Sequence, residues 1–177
     1  MAGARKNLRP QDILVAAKIA LLEGDTAWAQ KDVAAALKLS QAEIAFSLDR
    51  LVLHGLLNED KKSVRRAAFF ELLIHGLKYF FPVEISGNAR GLPTALSYGT
   101  MKKSFRISES EKIVWADAEG TERGLSLSPL YETVPFAVKS DPKLYELMSL
   151  IDVIRLGGAR ETQAAKSALE KILLVKK

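Results

Sequence analysis

The chain has no cysteine in 177 residues. That excludes a disulfide framework, a thiol nucleophile, thiolate zinc sites and iron–sulfur ligation, and it suits a reducing interior. Histidine is nearly absent too. His54 and His75 stand far apart without thiol partners, so a surface or cap residue and a partly buried helix residue are expected rather than a metal pair. Long apolar runs are missing. The longest charge-free stretch is Gly91–Met101, whereas a membrane-spanning helix needs about 20 apolar residues. The start of the chain leads into no apolar core, so no secretion signal is expected and a cytoplasmic setting is.

What is present is a core-forming chain: 48% hydrophobic and 27% charged residues exclude a disordered or fibrous class. The net charge of +5 is spread along the chain, but the cations cluster. Arg5, Lys6 and Arg9 form one group, Lys61, Lys62, Arg65 and Arg66 a second, and Lys102, Lys103 and Arg106 a third. Such clusters suit either a solvated surface or the release of counterions from nucleic-acid phosphates.

Helical periodicity dominates the first eighty residues. Pro10 opens a helix over Gln11–Glu23 with few charges, so it is expected to be largely buried, and Gly24-Asp25 ends it. Gln30–Leu37 is a short second helix. Ser40, with Glu43 three residues on, is a capping box for a third that ends at His54-Gly55. Asn58–Ser63 is a polar break, after which Ser63 is placed to cap a helix over Val64–Phe81, stopped by Pro82. Its apolar residues spread around so much of the circumference that it belongs in the core or at a subunit interface.

Beyond Pro82, an irregular loop is expected to about Gly99. Strand-like alternation then appears at Ser104–Ser108, Lys112–Ala116 and Arg123–Ser128, with Asp117–Gly120 as the turn of a hairpin. Asp141 and Pro142 open a helix ending at Gly157-Gly158, and Ala159–Leu174 forms the last. The fold class expected is mainly α with a small β hairpin. Residues 1–81 form a helix-turn-helix domain, and residues 82–177 form a smaller α+β region whose two terminal helices suit dimerisation.

The segment Lys31-Asp32-Val33-Ala34, Leu37, Leu39-Ser40, Ile44, Leu48, Arg50-Leu51 and Gly55-Leu56-Leu57 resembles the winged-helix, MarR-like bacterial transcription regulators, over residues 10–81 in the main. Phe80–Ala95 bears a looser resemblance to another bacterial winged-helix group. The first resemblance implies a helix-turn-helix whose second helix enters a DNA major groove, working as a homodimer on double-stranded DNA. Base contacts are then expected from Gln41, Ala42, Ala45, Phe46 and Arg50. Phosphate contacts are expected from Lys31, Lys38, Lys61, Lys62, Arg65, Arg66 and Arg90.

Four departures stand out. Lys38 occupies a turn position where glycine is usual, Phe46 stands where a polar reader is common, and Asp49 where lysine is. The wing is shortened to Asn58–Ser63. Helix-turn-helix units also serve as protein-docking modules, an accessory or antitoxin-like role that the acidic Glu43 and Asp49 would favour. No nucleophile, acid–base pair, phosphate loop or cofactor motif is recognised, so no enzymatic activity and no cofactor are expected.

Overall fold

The computed structural model describes residues 6–22 and 28–175. Arg5, Glu23 and the Gly24-Asp25 helix stop lie outside the described residues. The architecture is mainly helical with one small three-stranded sheet. Among the described residues no helix is long and apolar enough to cross a membrane.

Three helices come first: α1 (Pro10–Leu22), α2 (Gln30–Leu37) and α3 (Gln41–Leu53). α1 is the hub. Ile13 to Ala17, Ile19 and Ala20 are all buried, because α2 and α3 cover one side and a C-terminal helix the other. Each fully enclosed leucine or isoleucine there contributes about 1.5–3 kcal/mol. The fourth helix is broken into α4 (Arg66–Glu71), a π turn (Leu72–Gly76) and α5 (Leu77–Phe80), running head to tail. It begins later than expected, and Ser63 does not cap it. The Ser63 hydroxyl is held instead by Asn58 and Asp60 inside the preceding turn.

The second half corrects the strand assignments. Ile85–Pro93, expected as irregular loop, is the longest strand, β1. Gly99–Ser104 is a short helix, α6, and no strand forms at Ser104–Ser108. Ile113–Ala116 (β2) and Glu122–Leu127 (β3) do not form a hairpin with each other; they meet in parallel, Ile113 beside Leu125. Both are antiparallel to β1, which pairs with β3 up to Gly91 and with β2 from Gly91 onward. The three strands close on themselves. Closure depends on Gly91 and Gly124, where a Cβ would collide with the carbonyls of Trp115 and Lys112.

Then come α7 (Val134–Val138), α8 (Pro142–Leu156) and α9 (Ala159–Leu173). The Asp141 carboxylate caps α8 by accepting from the Leu144 amide at 3.0 Å, and it accepts from Lys18 of α1 at 2.7 Å. A single hydrophobic cluster runs from Ile13 to Leu173 and crosses Phe81-Pro82 without a gap, with α1 against α8 and α4 against α9. Polar groups secure the same seam. Asp152 of α8 accepts from the Trp115 indole at 2.7 Å, from Thr94 at 3.0 Å and from Arg155 at 2.7 Å. Arg155 also donates to the carbonyls of Phe81, Pro82 and Ser128. These buried polar groups are mutually satisfied, which marks them as structural.

Candidate nucleic-acid interface

The geometry starts at the turn between α2 and α3. Ala34 is small enough for α3 to cross close by, and Leu39 plugs the gap beneath. The chain reverses through Lys38, whose φ of 54° lies in the left-handed region, and the Leu39 amide donates back to the Ala34 carbonyl at 2.9 Å. Ser40 then caps α3. Its hydroxyl accepts from the Glu43 amide at 3.1 Å, and the Glu43 carboxylate accepts from the Ser40 amide at 2.8 Å. The Ser40 amide foremost, and then the Ser40 hydroxyl, hold the Glu43 carboxyl below its ordinary value. The expected capping box is present.

Ile44, Leu48 and Leu51 bury the inner face of α3. Gln41, Ala42, Phe46, Asp49 and Leu53 point outward, with Phe46 57% and Leu53 60% exposed, and Ala45 sits at the margin. The rod is therefore presented to solvent along one stripe. Directly after it, Leu57 and Val64 pair as a minimal antiparallel bridge, while the Asn58 and Arg65 amides bond to the Ser63 and Leu56 carbonyls. Residues 58–63 form the tip of this small hairpin. Asp60 shapes the tip by accepting from the Lys62 and Ser63 amides, the Lys62 bond chiefly holding its carboxyl low.

The expected contact residues divide sharply. Arg50 does not face solvent: it is 5% exposed and donates to Asp12 from Nε at 2.8 Å and from Nη2 at 2.6 Å, and to Ser47 at 3.1 Å. It cannot read a base without leaving a buried carboxylate unpaired. Arg66 is also committed inward, donating to the carbonyls of Ala20 at 2.6 Å and Leu173 at 3.1 Å, where α1 and α9 end. Lys61 bonds Asp49 on the exposed stripe at 2.6 Å, which brings the hairpin tip against the outer face of α3. Lys62 lies 4.3 Å above the Trp28 ring and donates to the Trp28 carbonyl at 3.1 Å. Lys31, Lys38 and Arg65 are exposed, and the Lys38 ammonium lies 5.2 Å from the Phe136 ring of α7. Arg90 is exposed but on β1, outside this region.

Two further features come together only in the fold. A groove beside α3 is lined by Lys6, Arg9, Phe46, Asp49, Arg50 and Leu53, with the His54 ring at the helix end against the Lys6 carbonyl. At the other end Tyr131 lies near Glu43 and Glu132; its phenol is pushed up first by burial and then by those two acids. Asp12 offered a signal for the burial of Arg50, since an acid opening an otherwise enclosed helix needs a cation from elsewhere. His75, expected as partly buried, is exposed beside Glu71 at 3.4 Å.

No family model matches the chain, and neither does any curated protein or solved structure.

Proposed function

We propose that the protein is a cytoplasmic, sequence-specific DNA-binding transcription regulator of winged-helix type that acts as a homodimer. One observation carries this reading. The outward stripe of α3 is flanked by cations, Lys38 at the turn before it and Lys61, Lys62 and Arg65 on the hairpin that follows, with Lys31 exposed at the start of α2. Such flanking charge suits a duplex, whose phosphate rows run on both sides of the groove that a helix enters. Gln41, Ala42, Ala45 and Phe46 would meet the base edges, Phe46 suiting a thymine methyl. Asp49 opposes a polyanion, and Lys61 neutralises it. The exposed aromatic pair Tyr79 and Phe80, close in sequence to the exposed Ile85, is the surface offered for pairing two copies. Two-fold pairing would set half-sites about 34 Å apart.

The test is a titration of duplex DNA over a range of salt. Changing Lys61 and Lys62 together to alanine is expected to weaken binding to all sequences and to flatten the slope of log K against log salt by about 1.8. A wild-type protein that binds no duplex near physiological salt would overturn the reading.

A second reading has its own support. Phe46 and Leu53 line up on one face of α3 beside Lys6 and Arg9, an apolar stripe edged with cations that suits an acidic, amphipathic protein segment. Under that reading, changing Leu53 to serine abolishes a stoichiometric protein complex. Under the DNA reading the same change is nearly silent.

A further inference from the structure

We infer that Arg90 and Arg123 form a two-guanidinium clamp for a phosphodiester backbone on the outer face of the small sheet. This rests on the DNA-binding reading and extends its footprint beyond α3 and the hairpin.

In the register of β1 against β3, Arg90 stands directly opposite Arg123, with Ala89 opposite Gly124 and Gly91 opposite Glu122. Directly opposed residues on antiparallel strands leave the same face with their Cβ atoms about 4.5–5.5 Å apart, and like charges so placed destabilise the pair. Both arginines are exposed, and neither side chain enters a hydrogen bond or ion pair among the described residues. Three lysines on the sheet and its connections are compensated, while Lys103 and Arg106 between β1 and β2 stay exposed on separate elements rather than opposed across a strand pair. Lys112 pairs with Glu109 and Glu122, Lys102 with Glu122, and Lys139 with Asp117 and Glu119. Two opposed guanidinium groups left without a carboxylate call for an external oxyanion, and each presents a planar fork of donors matched to phosphate oxygens.

The backbone under the pair is fixed. Each arginine precedes a glycine over which β2 passes in contact, Gly91 beneath Trp115 and Gly124 beneath Lys112. A β-bulge between Ser86 and Asn88 then sets the exposed Asn88 two residues from Arg90 on the same face, adding an amide donor. Both arginines stand on an open, exposed strip, which fits an extended chain of phosphates better than an enclosed small molecule.

Contacts connect this strip to the helix-turn-helix. Lys38 at the α2–α3 turn reaches Phe136 of α7, and Lys139 just past α7 holds Asp117 and Glu119. The Asp117 amide in turn donates to the Arg90 carbonyl at 3.1 Å. Glu43, Glu132, Asp117 and Glu119 are the acids along this route. They are a reason for the duplex to bridge over α7 rather than lie on it.

The test compares the full chain with R90Q/R123Q and K61A/K62A variants on random-sequence duplexes of about 12 and about 30 base pairs over a salt series. The R90Q/R123Q variant is expected to bind the long duplex roughly 10–100-fold more weakly near 0.1 M salt. Its salt slope should be lower by about 1.8, with the short duplex unaffected and thermal stability unchanged or raised. Wild-type affinity of that variant for the long duplex overturns the clamp, and an equal loss on both duplexes overturns the extended footprint. If K61A/K62A binds like wild type while R90Q/R123Q is weakened, the clamp stands and the helix-turn-helix reading falls. A wild-type protein that binds neither duplex ends both.

Discussion

Arg50 on α3 grips Asp12 on α1 through two hydrogen bonds, at 2.8 Å and 2.6 Å, with both side chains almost wholly enclosed. The one cation on α3 is thereby spent on holding the helix to the core. On the DNA-binding reading, the outward stripe must draw its positive charge from neighbouring elements.

Removing one partner of that pair strands the other. Changing Arg50 to alanine is expected to destabilise the fold by about 3–5 kcal/mol, whereas Arg50→Met combined with Asp12→Leu should recover most of the loss. Urea unfolding checks this. A wild-type midpoint in the alanine variant, together with lost DNA binding, would place Arg50 at the interface instead.

Asp49 is the acid on the exposed stripe and is offset by Lys61. Both partners are about half exposed, so the pair adds at most about 1 kcal/mol to stability. Asp49→Asn removes the acid that opposes a polyanion on the stripe and is expected to raise duplex affinity. Weaker DNA binding in that variant would argue that the stripe meets a protein instead.

Lys38 holds a left-handed conformation that glycine adopts without strain. Lys38→Gly is expected to be more stable than Lys38→Gln by about 0.5–1 kcal/mol. Both variants should lose the same duplex affinity, because both remove the same charge. Thermal melts and anisotropy titrations of the two separate the backbone effect from the electrostatic one.

Burial alone would raise the Asp141 carboxyl, but the Lys18 ammonium and the Leu144 amide outweigh it and hold the group below its ordinary value of 3.8. A carboxyl lowered by folding adds stability above its unfolded value that is lost as pH falls through the folded one. The stability attributable to Asp141, about 0.5–2 kcal/mol as a helix cap, should therefore be intact above about pH 5 and fade below 3.8. Asp141→Asn should flatten that part of the acid limb in urea midpoints measured against pH. An unchanged limb would count against the Lys18–Asp141 link.

Local chemistry explains which elements could be read in the chain itself. The bounds of α2, the Ser40–Glu43 box, the Asp141-Pro142 start and the Gly157 stop all follow from residues within four positions of one another. Short-range bonds of that kind are written in the order of the residues. The mostly helical class, the outward Gln41, Ala42 and Phe46, and the cationic tip at Lys61-Lys62 follow from the same periodicity.

What escaped was set by partners far along the chain. Ile85–Pro93 carries two glycines and a proline and looks like loop, yet it is a strand because β2 and β3, some twenty to forty residues later, offer it both edges. Arg50 sits at an i+3 step from Ser47 and passes for a surface cation until α1 brings Asp12 beneath it. Arg123 has nothing notable about it until the register sets it across from Arg90. Periodicity fixes which residues share a face of their own element. Which distant group lies against that face, and so whether a charge is buried, paired or left for a ligand, is a consequence of packing, because burial and Coulomb energy depend on distance in space and not on separation along the chain.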